Sequence, residues 1–188
     1  MKVNANTLRA GHVVEMNGQL YSVLKAENIQ PGKGTPVTQV DMRRLGDGNK
    51  VTERFRTQEQ VERAYIDERE FQYLYREDEN HAFMDIETFD QLSVSAELIG
   101  DPAQFLQDGM HVSIRLHEGK PVSVELPQKV ILEVTETEPT VKGQTAASSY
   151  KPAVLSNGIR SMVPSFITPG TKIVVNTADG SYLERAKD

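Results

Sequence analysis

The chain has 188 residues, no cysteine and a net charge of −6. That length allows one large domain or two to three small ones, and the missing thiols exclude disulfides, thiol catalysis and zinc–thiolate sites. No apolar run reaches the roughly 18 residues of a membrane span, and the N-terminus MKVNANTLRAGHVVEMNG lacks a signal-peptide core; a soluble cytoplasmic protein without a membrane partner is expected.

Strand signals dominate in chain order. Asn17-Gly18 separates HVVEM from QLYSVLKA, and both turn positions favour the left-handed backbone of a tight hairpin. QPGKGTP, residues 30–36, then sets Lys33 between Gly32 and Gly34 and encloses it between Pro31 and Pro36. Glycines leave the lysine unshielded and prolines stiffen the approaches, so the stretch reads as an exposed turn offering one long cationic arm. It is not a phosphate-binding loop, because Glu27 and Gly34 occupy the positions where such a loop needs glycine and Ser or Thr.

Further along, EFQYLYR places Phe71, Tyr73 and Tyr75 on one expected strand face, and EDEN turns into HAFMDIETF. SAELIGDPAQFLQ hints at a helix that Gly100 and Pro102 keep short. The stretches MHVSIRL and VSVELP flank HEGKP, and KIVVNT and SYLERA flank ADG. These two hairpins repeat one layout 61 residues apart: Gly109 and Gly119 match Gly170 and Gly180, and Val112 and Ile114 match Ile173 and Val175. That period suits one five-stranded barrel per copy. The expected organisation is all-β, three small barrels over residues 1–64, 65–127 and 128–188.

Charge divides along the same boundaries. Residues 1–64 hold ten Lys and Arg against seven Asp and Glu, residues 65–127 four against fourteen, and residues 128–188 seven against six. A polyanion is repelled by the middle block and attracted to the first, where Lys25, Lys33, Arg43, Arg44, Lys50, Arg54 and Arg56 lie.

Catalytic patterns are weak. His12, His81, His111 and His117 have no metal-ligand spacing, so no metal site is expected. Ser148-Ser149-Tyr150-Lys151 matches S-x-x-K, but the SDN and KTG partners of that chemistry are missing. A hydrolase using Ser148 and Lys151 is one alternative; a free-standing single-strand-binding protein is another, though Phe71, Tyr73 and Tyr75 sit in the most acidic block. No catalytic residue is assigned.

The segment KPAVLSNGIRSMVPSFITPGTKIVVNTADGSYLERA, Lys151 to Ala186, resembles the bacterial elongation factor P family. So do VELPQKVILEVTETEP, KGQTA and AFMDIETFDQ, and the likeness spans essentially the whole chain, including the PGKG tip. The resemblance implies an N-terminal SH3-like barrel of the KOW type and two OB-fold barrels, arranged in an L shape. It also implies a monomeric translation elongation factor that is not an enzyme. Such a factor binds the 70S ribosome, both rRNA and ribosomal proteins, between the P and E sites and relieves stalling at consecutive prolines.

By the same resemblance, Lys33 on its tip of Pro31, Gly32 and Gly34 reaches the CCA end of the P-site peptidyl-tRNA. Lysine there implies a covalent β-lysyl group added by an enzyme resembling a lysyl-tRNA synthetase, and no other cofactor. Gly143, Gln144 and Thr145 match a loop approaching the E-site codon, where many members carry an acid in place of Gln144. Tyr182 and Arg185 match positions near the P-site tRNA.

Overall fold

The computed structural model describes residues 1–139 and 149–187. Every element of appreciable length in it is a strand, and the strands form three sheets that follow one another along the sequence.

The first sheet holds β1 (Lys2–Asn4), β2 (Val13–Met16), β3 (Gln19–Ile29), β4 (Val37–Arg44), β5 (Lys50–Arg56) and β6 (Gln60–Arg63), in the order β1-β6-β2-β3-β4-β5. Asn17 and Gly18 turn β2 into β3 with φ of 52° and 74°, the hairpin the sequence predicts. Alternation on these strands turns Val14, Val23, Val40 and Met42 inward onto Ala5, Leu8, Tyr21 and Val61. Burying each large aliphatic side chain stabilises the sheet by roughly 1.5–3 kcal/mol.

The second sheet comprises β7 (Asp67–Glu77), β8 (Asn80–Asp85), β9 (Gln91–Ser95), β10 (His111–His117) and β11 (Lys120–Glu125), ordered β11-β10-β7-β8-β9. The third comprises β12 (Lys129–Thr137), β13 (Tyr150–Leu155), β14 (Arg160–Pro164), β15 (Lys172–Asn176) and β16 (Tyr182–Arg185), ordered β14-β13-β12-β15-β16. The two orders are the same arrangement. In each, the first strand is central, the next two lie on one side and the last two on the other. The repeated hairpins also agree in detail, for Val112, Ile114, Ile173 and Val175 are all buried. Their glycine pairs share positive φ, 81° and 79° in one copy and 89° and 75° in the other.

One expected face breaks. Phe71 and Tyr73 are buried, whereas Tyr75 is exposed. The register slips between Tyr73 and Tyr75, which face Phe83 and Ala82, so one extra residue in β7 turns Tyr75 outward. The helix hint resolves into α1 (Ala96–Ile99), capped by the Ser95 hydroxyl accepting from Leu98 N, and a 3-10 turn over Asp101–Phe105. Gly100, at φ 74°, separates the two.

By contacts the chain divides into two units, Met1–Arg69 with Ile114–Val124, and Glu70–Ser113 with Glu125–Asp188. In the second unit Phe105 leaves its own stretch of sequence to join Val130, Leu132, Val134, Leu155, Ile173 and Val175 in the last core. Gln107 Nε2 donates to Ile131 O at 2.8 Å and Asn157 Nδ2 to Gln104 O at 3.1 Å, fixing the same junction with polar bonds.

The second unit also buries His81, whose Nδ1 lies 3.0 Å from the Tyr73 hydroxyl. Burial, helped by the Arg76 charge, lowers its pKa below the ordinary 6.5. The folded chain therefore binds this proton less readily than the unfolded chain. Stability from neutral His81 is complete above about pH 6.5 and declines as the pH falls through that value. We expect the thermal midpoint to drop between pH 7.5 and 5.5, and His81→Gln to shrink that drop. An unchanged drop in the variant would count against His81 as its source.

Candidate nucleic-acid interface

The longest hairpin carries the lysine. β3 and β4 pair from Tyr21↔Arg44 to Ile29↔Val37, and β5 supports β4 as far as Val37↔Arg56. Near the end of this ladder, buried Thr38 donates its hydroxyl to Asn28 Oδ1 at 2.8 Å, tying the two strands below the loop. Residues 30–36 then project as a loop in which Pro31 to Thr35 are all exposed. Gly34 takes φ 131°, a conformation that side chains rarely adopt, and a Cβ there would sit 3.4 Å from the Pro31 ring. Lys33 makes no hydrogen bond or ion pair among the described residues.

Alternation also builds the surface behind the tip. Thr38, Val40 and Met42 of β4 point to the core, so Val37, Gln39, Asp41 and Arg43 point away. Their partners on β5 are Arg56, Arg54, Thr52 and Lys50. Arg43, Lys50, Arg54 and Arg56 therefore share one outer face that runs toward the lysine loop, with Arg54 Nε bonded to Gln39 Oε1 at 3.0 Å. Lys25 joins this face from β3, paired with Glu27 at 2.7 Å, and that carboxylate raises its pKa. Arg44 does not join it. Its guanidinium lies 5.9 Å from the Tyr21 ring centroid and bonds Asp47, and its Nε is buried without a partner.

The remaining predicted contacts lie in the second unit. Tyr182 is partly buried against the last core, and that burial raises its pKa. Arg185 is exposed, with its guanidinium 5.5 Å from the Phe166 ring centroid. Tyr182 and Arg185 thus share β16, while Lys33 belongs to the first unit. Gly143, Gln144 and Thr145 fall outside the described residues. The sequence reading missed Phe166; the signal available was an aromatic two residues after β14 and within the repeat-bearing block.

Ser148 lies outside the described residues, and Lys151 is buried with its Nζ donating to Glu138 O. Exposed His111 bonds Glu70 Oε1 at 2.9 Å, and His12 Nδ1 accepts from Arg9 N at 3.1 Å. Among the described residues no three His, Asp or Glu side chains gather to hold a metal ion, and no helix is long and apolar enough to cross a membrane.

Three successive sheets, the last two of one arrangement, form the scaffold. The fold is similar to the solved eukaryotic translation initiation factor 5A from Methanococcus jannaschii, with a TM-score of 0.56 and 23% identity over 68% of this chain and 92% of that one. Models of the elongation factor P KOW-like domain, OB domain and C-terminal region match residues 4–61, 66–124 and 130–185. Elongation factor P of Methylobacterium sp. (strain 4-46) and elongation factor P 2 of Mesorhizobium japonicum (strain LMG 29417 / CECT 9101 / MAFF 303099) are each 61% identical over 188 residues, covering 100% of both chains. The chain belongs to the elongation factor P family and is a translation elongation factor, with the ribosome as the partner that this role implies.

Proposed function

We propose that the protein enters the ribosome between the P and E sites, sets Lys33 against the CCA end of peptidyl-tRNA and relieves stalling at consecutive prolines. The observation that carries this reading is the lysine itself, exposed on a seven-residue loop at the end of a three-stranded support and without a hydrogen bond or ion pair among the described residues. The basic face beside it attracts RNA phosphates, and glycines on both sides of Lys33 let the loop enter a narrow passage.

The mechanism is positional. Proline's ring fixes its backbone angle and makes it a slow partner in peptide transfer, so its peptidyl-tRNA samples unproductive placements. Clamping the tRNA end restricts those placements, and rate is recovered through proximity and orientation. The ribosome performs the chemistry, and the protein supplies no acid, base or nucleophile. It acts in the cytoplasm as a monomer, with Tyr182 and Arg185 contacting the P-site tRNA body and Gly143, Gln144 and Thr145 approaching the E-site codon.

In this reading Lys33 bears a β-lysyl group joined to its amine by a lysyl-tRNA-synthetase-like enzyme, which lengthens the arm and adds donors for phosphate and sugar oxygens. Intact-mass measurement on protein from its own cell is expected to find one added lysyl unit on residue 33; an unmodified mass in active protein overturns that part. Reconstituted translation of a message with consecutive proline codons, with and without the protein, tests the whole. Addition is expected to restore full-length product, and an unchanged stall refutes the reading.

A further inference from the structure

The third sheet carries an unassigned cluster. Phe166 is 53% exposed, and Arg185 already lies against its ring. Arg185 also lines a cleft of about 870 Å³ with Lys172 and Lys187, whose other walls are Gly170, Thr171 and Ala186. Backbone pairing gathers these groups. Ala186 N donates to Lys172 O at 2.9 Å and Ile173 faces Arg185, so the end of β16 lies against the start of β15. The segment 165–171 between β14 and β15 brings Phe166 to the same end.

The chemistry of the cluster is specific. No carboxylate lines the cleft itself, but Glu133 faces Lys172 from β12, and alternation puts Glu184 on the Lys172 side of the sheet, opposite to Arg185. Three cations bordering one concave surface suit phosphate oxygens, and an open aromatic ring with a guanidinium at its side suits the flat face of a base. A duplex hides its base faces in the stack, and only an unpaired nucleotide offers both parts at once.

We propose that Phe166, with Lys172, Arg185 and Lys187, binds one unpaired RNA nucleotide, its base stacked on the Phe166 ring and its flanking phosphates held in the cleft. The site deepens the proposed RNA contact of Arg185 and rests on that reading for its biological partner, but its binding does not depend on Lys33 or on proline stalling.

Full-length protein is titrated into a fluorescent eight-nucleotide uridine RNA, and separately into an RNA duplex of the same length, without ribosomes. The single strand is expected to bind more tightly than the duplex. Phe166→Leu keeps bulk but removes the aromatic face and should weaken single-strand binding about tenfold, while Phe166→Tyr should stay within about twofold. Lys172→Ala and Lys187→Ala should each reduce the slope of log affinity against log salt by about 0.7. Lys129→Ala removes a charge from the same sheet, four ladder positions from Lys172's partner, and should change nothing.

Equal binding of strand and duplex, no measurable binding, or wild-type affinity in Phe166→Leu each overturns the proposal. A Phe166→Leu defect on ribosomes without one on RNA assigns the surface to a protein and overturns it too. Because the assay contains neither ribosome nor proline codon, its failure leaves the stall-relief reading standing, and failure of stall relief leaves this result intact.

Discussion

Lys33→Ala is expected to abolish relief of stalling on consecutive prolines while leaving ribosome affinity nearly unchanged. Lys33 is exposed and makes no hydrogen bond or ion pair among the described residues, so its removal should take little from the fold. In the proposed reading affinity rests on the broad basic face of β4 and β5, which the substitution leaves intact. What disappears is the single group proposed to reach the tRNA end. If that contact supplies a 10²-fold acceleration, the barrier it removes is roughly 2.7 kcal/mol, within reach of a few bonds to charged groups. Single-turnover peptide transfer with a prolyl substrate separates the two effects: the bond-forming rate falls to the factor-free level while the half-saturating concentration stays put. Full relief by the alanine variant would refute the positional mechanism.

The second large effect is on stability. Phe105→Ala should destabilise the second unit by about 3–5 kcal/mol, because Phe105 is 2% exposed and removing its ring opens a cavity in a close-packed core. The surroundings cannot close easily, since Gly180 approaches the ring from a fixed turn and Gln107 and Asn157 pin the flanking backbone. A fall in melting midpoint of the order of 10 °C or more is expected, read by circular dichroism or calorimetry. Leu98→Ala, a substitution on the neighbouring helix at a position outside this core, should cost much less. Equal losses at the two positions would show that the junction has no special weight.

Residues whose structural signal is local were readable from sequence. Asn17-Gly18 carries its turn in two residues, and the lysine loop is marked by its own glycines and prolines. The repeat was readable because the same spacing of glycines and branched residues occurs twice. Tyr75 was misplaced because a bulge adds one residue without altering the apolar pattern that precedes it. Phe105 and Phe166 were missed for another reason. Each acts across a gap in sequence, Phe105 on strands that begin 24 residues later and Phe166 on an arginine 19 residues away, and no periodicity reports such distances. The basic face was half readable: alternation places Arg43, Arg54 and Arg56 together only when the β4–β5 register is known, and that register sends Arg44 inward.

β5 pairs with β4 on one side and ends the first sheet on the other, so alternate amides and carbonyls along its seven residues point away from the sheet. Such a border is a template on which a second copy could extend the sheet, and charged side chains are the usual guard against it. Lys50, Glu53, Arg54 and Arg56 mount that guard here. In the proposed reading the arginines that draw in RNA also guard this border, and neutralising them is expected to weaken RNA binding and promote self-association.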